Sequence, residues 1–212
     1  MLHGYLSCKE SFIYQINYFS KYFKVVVPDM AGFGKVKMPY PYSLDDYARD
    51  IKRLISGEGG KINVIAHSFG ARVLFKMLPD GRIDKIVLTG AAGIKPRPTI
   101  RKSVRILRYK IRKRLKLNVK NFGSADYRAL DGVMRSSFLK VVNERLEKRI
   151  KSVKNDCLIV FGKNDKETPP YMAKKLKRYI KNSSLVFLKD AGHFAFIDRP
   201  EQFNVIVKEF LL

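Results

Sequence analysis

Apolar and polar positions along this chain alternate between two periods, and the places where the period switches mark the elements. Runs dense in β-branched and apolar residues occupy Phe23 to Asp29, Ile62 to Ala66, Ile83 to Gly90, Asp156 to Gly162 and Ser184 to Leu188. Because they are apolar throughout, they predict strands buried on both faces of a parallel sheet. Between them the spacing turns helical. Phe12, Ile13, Ile16, Tyr18 and Phe19 mark a helix within Lys9 to Tyr22. Ser43-Leu44-Asp45-Asp46 resembles a capping box opening a helix through Tyr47, Ile51, Leu54 and Ile55, which Gly57, Gly59 and Gly60 stop. Val73, Leu74 and Met77 begin a third, Tyr171 to Ile180 forms a basic surface helix, and Pro200 starts a last one carrying Phe203, Val205, Ile206 and Phe210. Strands alternating with helices predict the α/β class, a mostly parallel sheet flanked by helices.

Residues 94–150 depart from this pattern. They hold 18 basic and 4 acidic residues, more than half of the net charge of +24 carried by the 212 residues. The segment is expected to be a small helical cap inserted into a core made of residues 1–93 and 151–212. Its densest part, Arg101 to Lys116, places Val104, Leu107, Ile111 and Leu115 on one helical face. Three readings compete: a cap helix over a site, a helix lying on an anionic membrane surface, and a nucleic-acid contact. The last is least favoured, since no helix-turn-helix, zinc or aromatic-stacking pattern accompanies the charge. From Leu130 to Ile150, Met134, Phe138, Val141, Val142 and Leu146 suggest one or two more cap helices.

The hydrophobic fraction of 46% is that of a globular protein, and no apolar run approaches the length needed to cross a bilayer. The start lacks the basic-then-apolar order of a secretory signal, so a cytoplasmic protein is expected. Cys8 and Cys157 are far apart, lack metal-ligand spacing and suit a reducing compartment.

The chemistry gathers where strands end. Ala66-His67-Ser68-Phe69-Gly70 joins a buried strand to a helix by a tight turn, which lifts a serine hydroxyl clear of the sheet and leaves backbone N–H groups at a helix start. Gly162-Lys163-Asn164-Asp165, followed by Pro169, closes a later strand, and Ala191-Gly192-His193 follows the last. A serine hydroxyl is a poor nucleophile without a base in reach and an acid to orient that base, and Ser68, Asp165 and His193 supply the three types. His67 adjoins the serine, but neighbours on such a turn point in different directions, so it is expected to pack against the sheet.

In this order and context the residues resemble the α/β-hydrolase family. The turn matches G-x-S-x-G with Ala66 at the first glycine, Asp165 matches G-x-x-D-x-x-x-P, and Gly192-His193 matches the histidine motif. His3-Gly4 resembles the family's oxyanion loop and Asp29-Met30-Ala31-Gly32-Phe33-Gly34 its D-x-x-G-x-G turn. The resemblance implies Ser68, Asp165 and His193 as catalytic residues, with the backbone N–H groups of Tyr5 and Phe69 as oxyanion donors. It implies a bracing role for Asp29 and for His3, and neither a metal nor an organic cofactor. It also implies two strands and most of a third ahead of His3, about 20–25 residues. The chain is therefore expected to be an N-terminally truncated version, its first strands absent.

The function implied is hydrolysis of a small-molecule ester or related carbonyl substrate, an anionic one included, through an acyl-enzyme. One alternative is a carbon–carbon bond hydrolase acting on a carboxylate-bearing diketone, for which Arg72 and the cap arginines are candidate partners. The other is a non-catalytic protein of this fold that binds acidic surfaces through its basic cap.

Overall fold

The computed structural model describes residues 1–97, 114, 130 and 132–212. Four strands, β1 (Ile62–His67), β2 (Ile83–Thr89), β3 (Cys157–Gly162) and β4 (Ser183–Leu188), pair in parallel in the order β1-β2-β3-β4. Val64 stands opposite Ile86, Leu88 opposite Ile159 and Val160 opposite Val186. Successive residues of a strand face opposite sides. Val64, Ala66, Ile86, Leu88, Ile159 and Phe161 therefore enter one apolar cluster, while Ile65, Val87, Leu158 and Val160 enter another. Two buried faces explain why these runs are apolar throughout.

The helices are α1 (Ile13–Phe19, after a 3-10 turn Lys9–Phe12), α2 (Leu44–Ile55), α3 (Phe69–Met77), α4 (Gly132–Asn143), α5 (Glu147–Lys151), α6 (Pro170–Tyr179), α7 (Ala195–Asp198) and α8 (Pro200–Leu211). Strands laid down in one direction by crossovers of one hand put their connecting helices on one face of the sheet. That face carries α3, α5 and α6, joined by α2, through Leu74, Ile150, Leu176 and Leu44. The other face is covered by α1, α7 and α8 through Phe19, Phe196, Phe203 and Val207. The capping box is present: Ser43 N–H donates to Asp46 Oδ2 at 2.8 Å, and Asp46 N–H donates back to Ser43 Oγ at 3.4 Å.

One expected strand is not formed. Phe23 to Asp29 lies outside the sheet, although its sequence is as apolar as that of β1. A strand needs a ladder as well as a pattern. Between this stretch and β1 the contacts are those of Met1 and Leu2: the Met1 amino group donates to Val26 O at 2.6 Å, Leu2 N–H to Ile65 O at 2.8 Å, and His67 N–H to Leu2 O at 2.9 Å. Beyond that rung a cleft of about 280 Å³ runs between Val25 and Ile65, with Phe19, Ile51 and Ile55 among its walls.

The amphipathic stretch Arg101–Lys116, apart from Arg114, and the break at Asn121–Tyr127 lie outside the described residues. In the later part of the basic segment α4 and α5 are present, with Val141, Leu146 and Ile150 buried and Val142 exposed. The helix α4 is tied to the core by Ser137 Oγ donating to Tyr42 O at 2.9 Å and Lys140 Nζ donating to Pro41 O at 2.9 Å.

Candidate active site

Ser68 stands between the last residue of β1 and the first of α3, with φ 47° and ψ −108°. A non-glycine residue with this backbone stores strain, about 1–3 kcal/mol, which its surroundings must offset. Here Ser68 N–H donates to Thr89 O at 3.1 Å, and Ser68 O accepts from Ala71 and Ala92 N–H at 3.1 and 3.2 Å. A Cβ at Gly70 would overlap the Leu2 carbonyl, so only glycine lets α3 begin this close to the N-terminal rung.

Asp165 follows β3 and His193 follows β4, and their side chains meet: Asp165 Oδ2 accepts from His193 Nδ1 at 3.0 Å. Asp165 is 3% exposed and fully engaged. Its Oδ1 accepts from Glu167 and Thr168 N–H at 2.9 and 2.8 Å, and its Oδ2 also accepts from Thr168 Oγ1 at 2.7 Å. Burial pushes the carboxyl upward, but the hydrogen bond and charge of His193 together with the Thr168 bonds outweigh it, and Asp165 lies below the usual carboxylate range. Gly90, at φ +51°, leaves room for the imidazole, since a Cβ there would stand 3.0 Å from His193 Cε1.

The serine turn and the Asp165–His193 pair lie close together. The His67 ring lies 4.7 Å from that of His193, and a Cβ at Gly4 would come within 3.0 Å of His67 Cδ2 and 3.6 Å of Ser68 Cβ. Among the described residues no hydrogen bond joins Ser68 Oγ to His193, whose Nδ1 bonds Asp165. Such a contact commonly tightens only with substrate bound.

His67 is buried, with Nδ1 at 3.0 Å from Thr89 O, and burial with the nearby His193 lowers its pKa to about 3. A neutral imidazole so enclosed cannot exchange protons with a substrate. His3 joins the loop as expected: Nδ1 donates to Gly4 O at 2.8 Å and Nε2 accepts from Met30 N–H at 3.0 Å. Asp29 accepts from Lys9 N–H at 2.7 Å, and a Cβ at Gly34 would overlap its carboxylate.

Phe69 N–H opens α3, where a helix offers it no internal acceptor. The Tyr5 ring is packed edge-on against Phe69 at 5.3 Å and Phe33 at 4.8 Å, and its hydroxyl donates to Met134 O of α4 at 3.2 Å. Arg72, a candidate for substrate binding in the sequence, is committed elsewhere. Its Nη2 donates to Val141 O at 2.6 Å and Glu144 O at 2.7 Å, capping the C-terminal end of α4. Thr168 is the site residue that the sequence reading missed; the signal that could have found it is a hydroxyl three residues after an aspartate, a spacing that favours local turns. Among the described residues no group of His, Cys, Asp or Glu is arranged to hold a metal.

The chain belongs to the alpha/beta hydrolase family, whose model matches residues 1–205. It is similar to the AB hydrolase superfamily protein YisY of Bacillus subtilis, 26% identical over 99% of this chain and 89% of that one. It is also 25% identical to the 2-hydroxy-6-oxo-6-(2'-aminophenyl)hexa-2,4-dienoic acid hydrolase of Metapseudomonas resinovorans, over 91% of this chain and 75% of that one. Its fold is that of a thermophilic esterase from Thermogutta terrifontis, with a TM-score of 0.77 and 20% identity over 99% of this chain and 87% of the other.

Proposed function

We propose that the protein is a serine hydrolase that cleaves a small-molecule ester or related carbonyl compound through an acyl-enzyme. The observation that carries this reading is the Asp165–His193 hydrogen bond at the mouth of the strained Ser68 turn. His193 Nε2 takes the Ser68 proton as Oγ attacks the carbonyl carbon. Asp165 holds Nδ1–H, which fixes the tautomer and stabilises the imidazolium. The N–H groups of Phe69 and Tyr5 receive the oxyanion, an interaction worth about 3–4 kcal/mol per donor. His193 then protonates the leaving alkoxide and activates the water that releases the acid. Every proton in this cycle is carried by the chain's own residues, and no step calls on a cofactor. Residues 94–150 act as the cap: α4 reaches the oxyanion loop through Tyr5, so closure over the substrate and placement of a donor are coupled.

A carbon–carbon bond hydrolase is the second reading, favoured by the dienoic acid hydrolase among the relatives. The commitment of Arg72 to α4 removes one anchor that a carboxylate-bearing diketone would use. The test is intact-mass spectrometry after a fluorophosphonate, beside Ser68→Ala. One adduct, absent from the variant, is expected; a native protein that stays unlabelled, or a labelled variant, would sink the reading. Turnover of p-nitrophenyl butyrate against a vinylogous 1,5-diketo acid then separates the two bond types.

A further inference from the structure

Thr168 is 6% exposed, and its hydroxyl lies between the two members of the acid–base pair. Oγ1 donates to Asp165 Oδ2 at 2.7 Å and stands 3.3 Å from His193 Nδ1, while Thr168 N–H holds Asp165 Oδ1 at 2.8 Å. One residue thus grips both carboxylate oxygens, and its hydroxyl shares with His193 the single oxygen that does the orienting. A hydroxyl has one proton to give. The 2.7 Å contact takes it to the carboxylate, so at Nδ1 the same oxygen can only accept.

We propose that Thr168 is a positioning residue of the catalytic pair, its hydroxyl fixing the plane of the Asp165 carboxylate and limiting how tightly that carboxylate holds the His193 imidazolium. The inference rests on the serine-hydrolase reading. A carboxylate oxygen already accepting an O–H bond has less charge to offer a second donor. Among the described residues, the titratable groups facing the pair are few: His67 from the end of β1, neutral when buried, and Asp198 of α7, which accepts from Gly192 N–H at 2.7 Å beside the base. Thr168 is therefore the neighbour placed to moderate Asp165 directly.

The test compares Thr168→Val, which keeps shape and backbone N–H but loses the hydroxyl, with Thr168→Ser, which keeps the backbone N–H and the hydroxyl but loses the methyl. In Thr168→Val the His193 Nδ1 proton resonance read by NMR is expected to move downfield as its bond to Asp165 tightens. The kcat is expected to fall about tenfold with KM unchanged, because the base is less well aimed. Thr168→Ser is expected to restore the resonance and to keep kcat within about twofold of the parent value. An unmoved Nδ1 proton resonance in a folded Thr168→Val protein would overturn the proposal, as would a Thr168→Ser protein that behaves like Thr168→Val. Should Thr168→Val not fold, Thr168→Ala read against Thr168→Ser decides the matter. The proton resonance is read without turnover, so failure of the proposal is distinct from failure of Ser68 to label.

Discussion

His67 couples the site to stability through its enforced neutrality. The ordinary histidine pKa is near 6.5, and burial brings that of His67 to about 3. Between those values the unfolded chain binds a proton that the folded chain refuses, so stability falls as pH falls, by up to about 1.4 kcal/mol per pH unit. Asp165, depressed below the carboxylate range, acts in the same sense only at lower pH. The thermal midpoint is therefore expected to drop on acidification from pH 6.5 to 4.5. In His67→Gln, which keeps a donor for Thr89 O but does not titrate, the drop should be smaller; an equal slope would place the linkage elsewhere.

At the scale of elements, Arg72 ties the basic segment to the core. It leaves α3 and caps the end of α4 by bonding two carbonyls. Replacing it with Ala strips both acceptors and opens a void, at a cost of about 2–4 kcal/mol in urea unfolding. Under the proposed serine-hydrolase reading, ester turnover should persist at low temperature, because the Arg72 guanidinium is engaged with the carbonyls of Val141 and Glu144. Much of this layer was legible in the sequence. The runs forming β1 to β4 are apolar on both faces because both faces are covered, and Ser43 with Asp46 announced α2 by its capping chemistry. Ser68, Asp165 and His193 stood out because each lies in the turn that follows such a run. Phe23 to Asp29 carried the same signal and formed no strand, since pattern records burial while pairing depends on what lies alongside. The role of Arg72 was opaque because the carbonyls it bonds, Val141 and Glu144, are distant in sequence, whereas Thr168 stands at an unspecified position of G-x-x-D-x-x-x-P and only its contact with His193 is long-range.

At the scale of the whole molecule, 43 basic residues against 19 acidic ones set a field that favours anionic ligands near the surface and opposes contact between copies. Basic side chains converge on Tyr179, where Lys151, Lys175 and Arg178 stand within 4.9–5.8 Å of the ring centre. Such crowding is relieved by counterions, so the thermal midpoint is expected to rise between 20 and 200 mM salt. A flat response would mean that the charges are too dispersed to strain the fold.

The cleft beside β1 has the opposite sensitivity. Its walls are mostly apolar, and β1 is an outer strand of the sheet whose far edge, among the described residues, is met by Leu2 at Ala66. An unpaired edge between greasy walls is a template for cross-molecular zippering. What holds copies apart is mutual repulsion, whose range shrinks from about 10 Å at 0.1 M salt to about 3 Å at 1 M. Colloidal behaviour should therefore invert with ionic strength: monodisperse in dilute buffer, and above about 0.5 M salt gathering into thioflavin-positive assemblies, which light scattering would follow from the first minutes.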